Sequence, residues 1–144
     1  MLLIALVVSF VVRNFVPTTE VRLGSGVYHL QVASNEIDRR QGLSEVEHIY
    51  PNGGLLMVFD NDDKHGIWMK DMRVSLDIIW LNNDKKVVYI VKNATPEMST
   101  DVIFTPKTDA RYVIELPQGS VDSAGIKVDM IATFDVSDEE VSGI

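Results

Sequence analysis

The chain has 144 residues and no cysteine, and its 13 basic and 21 acidic side chains give a formal net charge of -8. That length suits one domain with a single core, and the lack of cysteine excludes disulfides, thiolate catalysis and cysteine-ligated zinc. The acidic balance opposes nonspecific attraction to nucleic acid and to anionic lipid surfaces, so we expect no nucleic-acid partner.

The first sixteen residues form the most apolar stretch of the chain. MLLIALVVSFVV is apolar at every position except Ser9, and a sixteen-residue helix is about 24 Å long, close to the roughly 30 Å hydrocarbon core of a bilayer. No basic n-region and no small-x-small cleavage motif precede Pro17, which favours an uncleaved anchor over a removed signal peptide. We therefore predict that residues 1–16 form an apolar helix that anchors the protein in a membrane, with the rest of the chain outside the cytoplasm in the cell envelope.

Two observations leave alternatives to this anchor open. Arg13 lies on the far side of the apolar run, where the positive-inside rule argues for the reverse orientation. The same stretch also suits a buried strand or a self-associating helix in a soluble protein.

Residues 17–136 are predicted to form a single β domain, followed by an acidic flexible tail over residues 137–144. At its start, VRLGSG and VYHLQVAS predict a β-hairpin with a Gly-Ser-Gly turn. Ser34 or Asn35 can cap a short helix, with Gly42 in the left-handed position that ends it. GLLMVFD then predicts a strand, NDDKHG a turn, and GIWMK the continuation or partner of that strand.

The second half of the domain is predicted to hold its most buried strands. SLDIIWLN is apolar on both faces, as a covered central strand is, and VVYIVKN follows the NNDKK turn as its antiparallel partner. RYVIEL and VDMIATFDV alternate as strands with one inner face, and PQGSVDSAG between them holds one helical turn. The predicted inner residues of these two strands are Tyr112, Ile114, Leu116, Val128, Met130, Ala132 and Phe134. The total of seven or eight short strands and one or two short helices predicts a mostly β fold at the margin of α+β, a compact antiparallel or mixed β-sandwich or β-barrel.

Several of these segments occur in the order that is typical of the DUF 192 family, which the chain resembles over about residues 28–136. The landmarks are RRQGLS, GGLLMVF, IWMKDM, SLDII, Pro96, ARYVIELPQG and GIKVD. The resemblance implies a compact β-dominated fold, often carried behind a secretion signal or membrane anchor, and it implies no established activity, cofactor or substrate. Asp71 departs from the asparagine that such proteins favour, which adds a carboxylate to the surface formed by WMKDM.

Asp77 is the most informative single residue because it lies between Leu76 and Ile78 in the covered strand. A buried ionised carboxylate without a partner costs several kcal/mol, so either a cation pairs with it or its pKa shifts. The candidate cations are Arg39, Lys70 and Arg73. Pairing through Arg39 would make Asp77 or Glu115 a structural link between the helix and the sheet.

The alternative to a structural ion pair is a ligand site built around the same residues. Trp68 and Trp80 would supply apolar walls, and charged groups would orient an anionic or hydroxyl-rich small ligand. Most tryptophans in so small a chain are core residues, so we expect Trp68 to be buried, with surface stacking as the alternative. The predicted ligand-binding residues are Arg39, Trp68, Lys70, Asp71, Asp77 and Glu115.

The sequence contains no motif that fixes a catalytic reaction. GLSEV is not a G-x-S-x-G nucleophile elbow, no Gly-rich phosphate loop follows a strand, and the histidines lack the spacing of zinc ligands. DNDDKH lacks the glycine at the sixth position of a calcium loop. We therefore predict a membrane-tethered, non-enzymatic small-ligand-binding or accessory module without a metal or cofactor, and its oligomeric state stays open.

Two other functions stay open at this stage. One is a hydrolase of envelope glycans that uses Asp77 and Glu115 as its acid and base, which requires their carboxyl groups to flank a cleft about 5 to 9.5 Å apart. The other is an assembly partner in an envelope complex, which would present an exposed apolar patch and no deep pocket.

Overall fold

The computed structural model describes residues 18–98 and 101–137, which form eight strands, two short α-helices and one 3-10 turn. The strands are β1 (Thr18–Leu23), β2 (Gly26–Ala33), β3 (Leu55–Asp63), β4 (Ile67–Trp68), β5 (Leu76–Leu81), β6 (Val87–Ala94), β7 (Ile103–Phe104) and β8 (Ala110–Pro117). The helices are α1 (Glu36–Gln41) and α2 (Ser120–Ala124), and the 3-10 turn is Pro96–Met98. Six strands form one sheet in the order β1-β2-β3-β8-β5-β6, and β4 and β7 form a second, small sheet. The predicted mostly β fold is confirmed.

The main sheet is mixed. β2 and β3 are parallel and are joined by a crossover that contains α1, whereas its other neighbouring strands are antiparallel. β8 lies between β3 and β5 although it comes last in the chain. All six residues of β5 are buried, as the two-sided apolar pattern of SLDIIWLN predicts, and its hairpin with β6 is confirmed.

The main sheet curls into a half-barrel, and the segment after α2 bonds to both of its edges. Arg22 in β1 exchanges two backbone hydrogen bonds of 2.9 Å with Thr133, and at the other edge the Val87 N–H donates to the Met130 carbonyl over 2.8 Å. The prediction of a strand at VDMIATFDV is therefore wrong, because its backbone groups are divided between two edges and form only isolated bridges. Val128, predicted to face inward, is exposed.

Apolar side chains pack on both faces of β5 and β8, so the sheet separates two hydrophobic clusters. One face carries Ile79 and Ile114, and the opposite face carries Ile78, Trp80 and Val113. RYVIEL, predicted to have a single inner face, is buried on both faces because residues around α1 and the small sheet cover the second one. The second cluster forms the base of the site described below.

The short helix α1 begins and ends where local signals predict. The Asn35 side chain accepts a hydrogen bond of 2.8 Å from the Asp38 N–H, and Gly42 follows the helix with a φ of 52°. Two predictions that follow it in the chain are wrong. β3 continues to Asp63, which pairs with Ala110, so NDDKHG does not begin as a turn, and β4 pairs with β7 rather than with β3.

The predicted anchor over residues 1–16 and the predicted tail beyond Ser137 lie outside the described residues. Within residues 18–98 and 101–137, no helix is long and apolar enough to cross a membrane. The β domain predicted over residues 17–136 is described from Thr18 onward.

Candidate functional site

A cavity of about 650 Å³ opens between α1, β3 and the small sheet. It lies on the face of the main sheet that carries Trp80 and Val113. Its apolar lining comprises Leu43, Met57, Phe59, Ile67, Trp68, Met72 and Ile103, and its charged or titratable lining comprises Glu36, Arg39, Arg40, His65 and Glu115. The volume falls in the range of about 300 to 1,000 Å³ that is typical of small-molecule sites.

Glu115 is the buried acid of this cavity. It lies in β8 opposite Leu55 of β3 and Ile78 of β5, and only 3% of its surface is exposed. Burial raises the pKa of its carboxyl group from 4.5 to about 7, because the low-dielectric surroundings disfavour the charged form. Neutral and ionised forms of Glu115 are therefore both populated near neutral pH.

The Oε2 atom of Glu115 accepts no hydrogen bond from the described part of the chain. Gly42 faces this atom, since a methyl group at that position would lie 3.7 Å from Oε2 and 3.4 Å from the terminal carbon of Met57. Buried polar atoms in proteins nearly always have a partner, so an exception beside a cavity calls for an explanation such as ligand binding.

Arg39 ties α1 to the end of β3. Its Nη1 donates to the carbonyls of Ser34 and Val58 over 2.6 and 2.8 Å, and its guanidinium carbon lies 5.0 Å from the centre of the Phe59 ring. Nη2 is 3.8 Å from a carboxylate oxygen of Asp60. Arg39 thus joins the helix to the sheet, but through backbone carbonyls rather than through a buried carboxylate.

Trp68 forms part of the cavity rim, with 44% of its surface exposed. It pairs with Ile103 in the small sheet, and the ammonium nitrogen of Lys70 lies 5.3 Å from the centre of its ring. The expectation that Trp68 belongs to the core is wrong because β4 lies outside the main sheet and has only one covered face. Trp80 is fully buried instead, and its Nε1 donates to the His65 carbonyl over 2.8 Å.

His65 and Phe59 stack in the cavity wall, with ring centres 3.7 Å apart and planes 10° apart. The Nε2 atom of His65 is 3.0 Å from the Asn61 carbonyl oxygen. Across residues 18–98 and 101–137, no three His, Asp or Glu side chains are grouped so that they could hold a metal ion.

Asp77 is fully buried and does not reach the cavity. Its Oδ1 accepts a hydrogen bond of 3.0 Å from the Asn93 N–H, and its Oδ2 accepts bonds of 3.1 and 2.9 Å from the N–H groups of Gly119 and Val121. The predicted pairing of Asp77 with Arg39, Lys70 or Arg73 is wrong. Backbone N–H groups at the start of α2 and near the end of β6 compensate its charge instead.

Asp77 and Glu115 lie on opposite faces of the main sheet. In the register of β5 and β8, Asp77 is opposite Leu116, and Ile78 is opposite Glu115. Because successive strand residues point to opposite faces, the cavity contacts Glu115 and not Asp77. The two carboxylates do not flank a shared cleft, so the acid and base pair of the glycan-hydrolase alternative is not formed.

Half of the predicted ligand-binding residues meet at the cavity, namely Arg39, Trp68 and Glu115, and the other half, Lys70, Asp71 and Asp77, do not line it. Asp71 is exposed, and its backbone carbonyl accepts a hydrogen bond of 2.9 Å from the Glu45 N–H. Sequence reasoning missed Met57, Phe59 and His65 as cavity residues. It identified Gly42 only as a helix terminator, although the same lack of a side chain leaves room beside Glu115.

Comparison with known proteins identifies the family. The DUF192 model, described as Uncharacterized ACR, matches residues 19–134. A UPF0127 protein from Thermococcus gammatolerans is 30% identical over 118 residues, which cover 81% of this chain and 72% of that protein.

Two crystal structures resemble this fold. One, from Sinorhizobium meliloti, was provisionally described as a transcription regulator; it is 24% identical, with a TM-score of 0.78 over 83% of this chain and 95% of that chain. The other, a protein of unknown function from Novosphingobium aromaticivorans, is 22% identical, with a TM-score of 0.74 over 81% of this chain and 83% of that chain. These likenesses concern the fold, and the family assignment comes from the sequence match: the chain belongs to the DUF192 family.

Proposed function

We propose that this protein binds a small organic molecule in the cavity between α1, β3 and the small sheet, and that it does so without catalysing a reaction. The observation that carries the proposal is Glu115, a buried carboxyl group beside the cavity whose Oε2 has no hydrogen-bond partner in the described residues. A molecule with a hydrogen-bonding group at one end would complete this carboxyl group and bury its apolar part against the remaining wall.

The composition of the wall supports binding. It includes aromatic and thioether side chains, among them Phe59, Trp68 and Met72, and such groups fit apolar molecules of varied shape. Arg39 and Glu115 place charged groups beside these apolar side chains, and small-molecule sites usually combine an apolar wall with polar groups that orient the ligand. Asp77 lies on the other face of the sheet, so the carboxylate pair considered for a glycan hydrolase does not meet in this cavity, and this favours binding over hydrolysis.

A fragment screen by NMR on the full-length protein tests the proposal. We expect a subset of small amphiphilic fragments to shift the indole N–H signal of Trp68 while leaving that of the buried Trp80 in place. The Trp68→Ala variant should lose affinity for these fragments, whereas Tyr50→Ala, which removes an exposed aromatic residue outside the cavity, should bind them as the wild type does. A screen without cavity-directed fragments, or fragments that bind Trp68→Ala equally well, contradicts the proposal.

We further propose that residues 1–16 tether this binding domain to a membrane, with the domain outside the cytoplasm. The apolar composition of MLLIALVVSFVV supports the tether. Membranes washed with carbonate should retain the full-length protein and release it only with detergent. Recovery of the full-length protein in the soluble fraction contradicts the tether and leaves the binding proposal intact.

A further inference from the structure

The charged groups that line the cavity differ in whether they have a counter-charge. Arg40 and Glu36, one helical turn apart on α1, form an ion pair of 3.1 Å. Arg39 donates to two carbonyls and has the carboxylate of Asp60 at 3.8 Å. Glu115 has no ion-pair partner among the described residues. When Glu115 is ionised, its negative charge therefore has no counter-ion within ion-pair distance among the described residues.

This unmatched charge lies at the buried base of the cavity rather than at its rim. Glu115 projects from β8, one of the two central strands of the main sheet, and is almost completely buried, whereas Trp68 and Ile103 at the rim are exposed. In such low-dielectric surroundings a hydrogen bond from a cationic donor is roughly twice as strong as one between neutral groups. A ligand with a neutral hydrogen-bond donor leaves the negative charge of Glu115 uncompensated, and an anionic ligand is repelled by that charge.

The apolar wall limits what the cation can be. Met57, whose terminal carbon lies beside Gly42 near the Glu115 carboxyl group, offers no oxygen ligand to a metal ion, and in the described residues no three His, Asp or Glu side chains are grouped so that they could hold one. A cation on an apolar body matches both parts of the cavity, because the charged end compensates the acid and the body covers the wall.

We propose that the natural ligand of the cavity is a small organic cation, a single basic nitrogen on an apolar body, whose N–H group donates to the Glu115 carboxylate. This inference rests on the proposed binding function and deepens it by naming the class of ligand. It differs from the anionic or hydroxyl-rich ligand expected from sequence, because Arg39 is committed to backbone carbonyls and Lys70 lies outside the cavity.

Three probes with the same phenethyl body separate the charge of the ligand from its shape. They are phenethylammonium, 2-phenylethanol and 3-phenylpropionate, titrated calorimetrically into the full-length protein at about pH 8. We expect phenethylammonium to bind at least about tenfold more tightly than 2-phenylethanol, and 3-phenylpropionate to bind most weakly. This preference should disappear in Glu115→Gln and persist in Asp122→Asn, which removes an exposed carboxylate outside the cavity.

The pH dependence of phenethylammonium binding is a second readout, because a fit between the shapes of ligand and cavity does not by itself depend on pH. Because the pKa of Glu115 is about 7, the ionised fraction falls about tenfold between pH 8 and pH 6, and the affinity for phenethylammonium should fall with it. The affinity for 2-phenylethanol should stay level. The affinity of Glu115→Gln for phenethylammonium should also stay level, and a pH dependence that persists in this variant would contradict the inference.

These measurements test the charge of the ligand separately from binding in the cavity. If the probes bind in the cavity but show no preference for the ammonium, or if Glu115→Gln keeps that preference, the ligand is not a cation and the binding function stands. If the probes bind no better to the wild type than to Trp68→Ala, both the cation inference and the proposed cavity site are overturned.

Discussion

The two buried acids of this protein, Asp77 and Glu115, lie on neighbouring strands and opposite faces of one sheet. Asp77 accepts three backbone hydrogen bonds, while the Oε2 of Glu115 accepts none from the described residues. Burial alone therefore does not distinguish scaffold from site, since both side chains are almost inaccessible. The number of hydrogen-bond donors around each carboxylate distinguishes the structural acid from the acid of the candidate site.

The two faces differ because different helices cover them. On the Asp77 face, α2 directs the N–H groups of Gly119 and Val121 at the carboxylate. On the Glu115 face, α1 ends at Gly42, which presents a bare Cα to the carboxyl group and leaves space in front of it. The Asp77 carboxylate is thus supplied with donors by the fold, whereas Glu115 lines a cavity and its Oε2 has no donor among the described residues.

The largest expected effect is the loss of the Asp77 carboxylate. Asp77→Ala should lower the free energy of unfolding by about 4 kcal/mol, because it removes three charge-assisted hydrogen bonds and leaves buried N–H groups unpaired. Urea denaturation at neutral pH measures the change. The control is Asp122→Ala on α2, which removes only an exposed ion pair with Lys92 and should cost less than about 1 kcal/mol. Similar losses in both variants would contradict the role given to Asp77.

Glu115→Gln should raise the free energy of unfolding instead of lowering it. The pKa of Glu115 is about 7 in the folded protein against a reference of 4.5, so between these values the folded state keeps a proton that the unfolded chain has released. Wild-type stability should fall as the pH rises through this window and level off above it. Relative to the wild type, the variant should gain about 2 to 3 kcal/mol between pH 4 and pH 8. Parallel denaturation curves across this range would argue against an uncompensated acid.

Arg39→Lys should have a smaller effect on the link between α1 and β3. A lysine amine cannot reproduce the geometry in which Nη1 bonds the carbonyls of Ser34 and Val58, and we expect a loss of about 1.5 kcal/mol in the free energy of unfolding. Arg40→Lys is the matched control, because its contact is an exposed ion pair and should cost no more than about 0.5 kcal/mol. Equal costs would mean that Arg39 is only a surface residue.

Trp68→Ala should change stability least, although it weakens ligand binding. Trp68 is 44% exposed on the small sheet, so much of its apolar area stays in water in the folded protein, and we expect a loss of about 1 kcal/mol. Thermal unfolding without ligand measures it. A loss as large as that expected for Asp77→Ala would place Trp68 in the core and remove it from the rim of the site.

Sequence patterns predicted the elements whose signals are local. The two hairpins, the covered strand β5 and the cap of α1 at Asn35 and Gly42 follow from alternation, turn residues and capping residues. Patterns failed where a segment's partner is distant in the chain. VDMIATFDV alternates like a strand but bonds to two separate edges, and β4 pairs with the distant β7.

The same limit explains what was found and missed at the site. Asp77 was recognised as unusual from its apolar neighbours, but backbone N–H groups are invisible in a sequence because every residue except proline carries one. The partner of Asp77 was therefore assigned to a cation. Trp68 and Glu115 were predicted together, while Phe59 and His65 were not, since nothing in GLLMVFD or NDDKH distinguishes a cavity wall from an ordinary strand end.

The most direct test of the account is the pKa of Glu115 itself, measured by following its side-chain carboxyl ¹³C signal through an NMR titration of the full-length protein. The account predicts a midpoint at about 7 in the absence of ligand and a lower midpoint when phenethylammonium is added, because a bound cation favours the ionised form. A midpoint near the ordinary value of 4.5 without ligand would show that the carboxyl group is solvated or already paired, and would contradict the claim that it is open for a ligand.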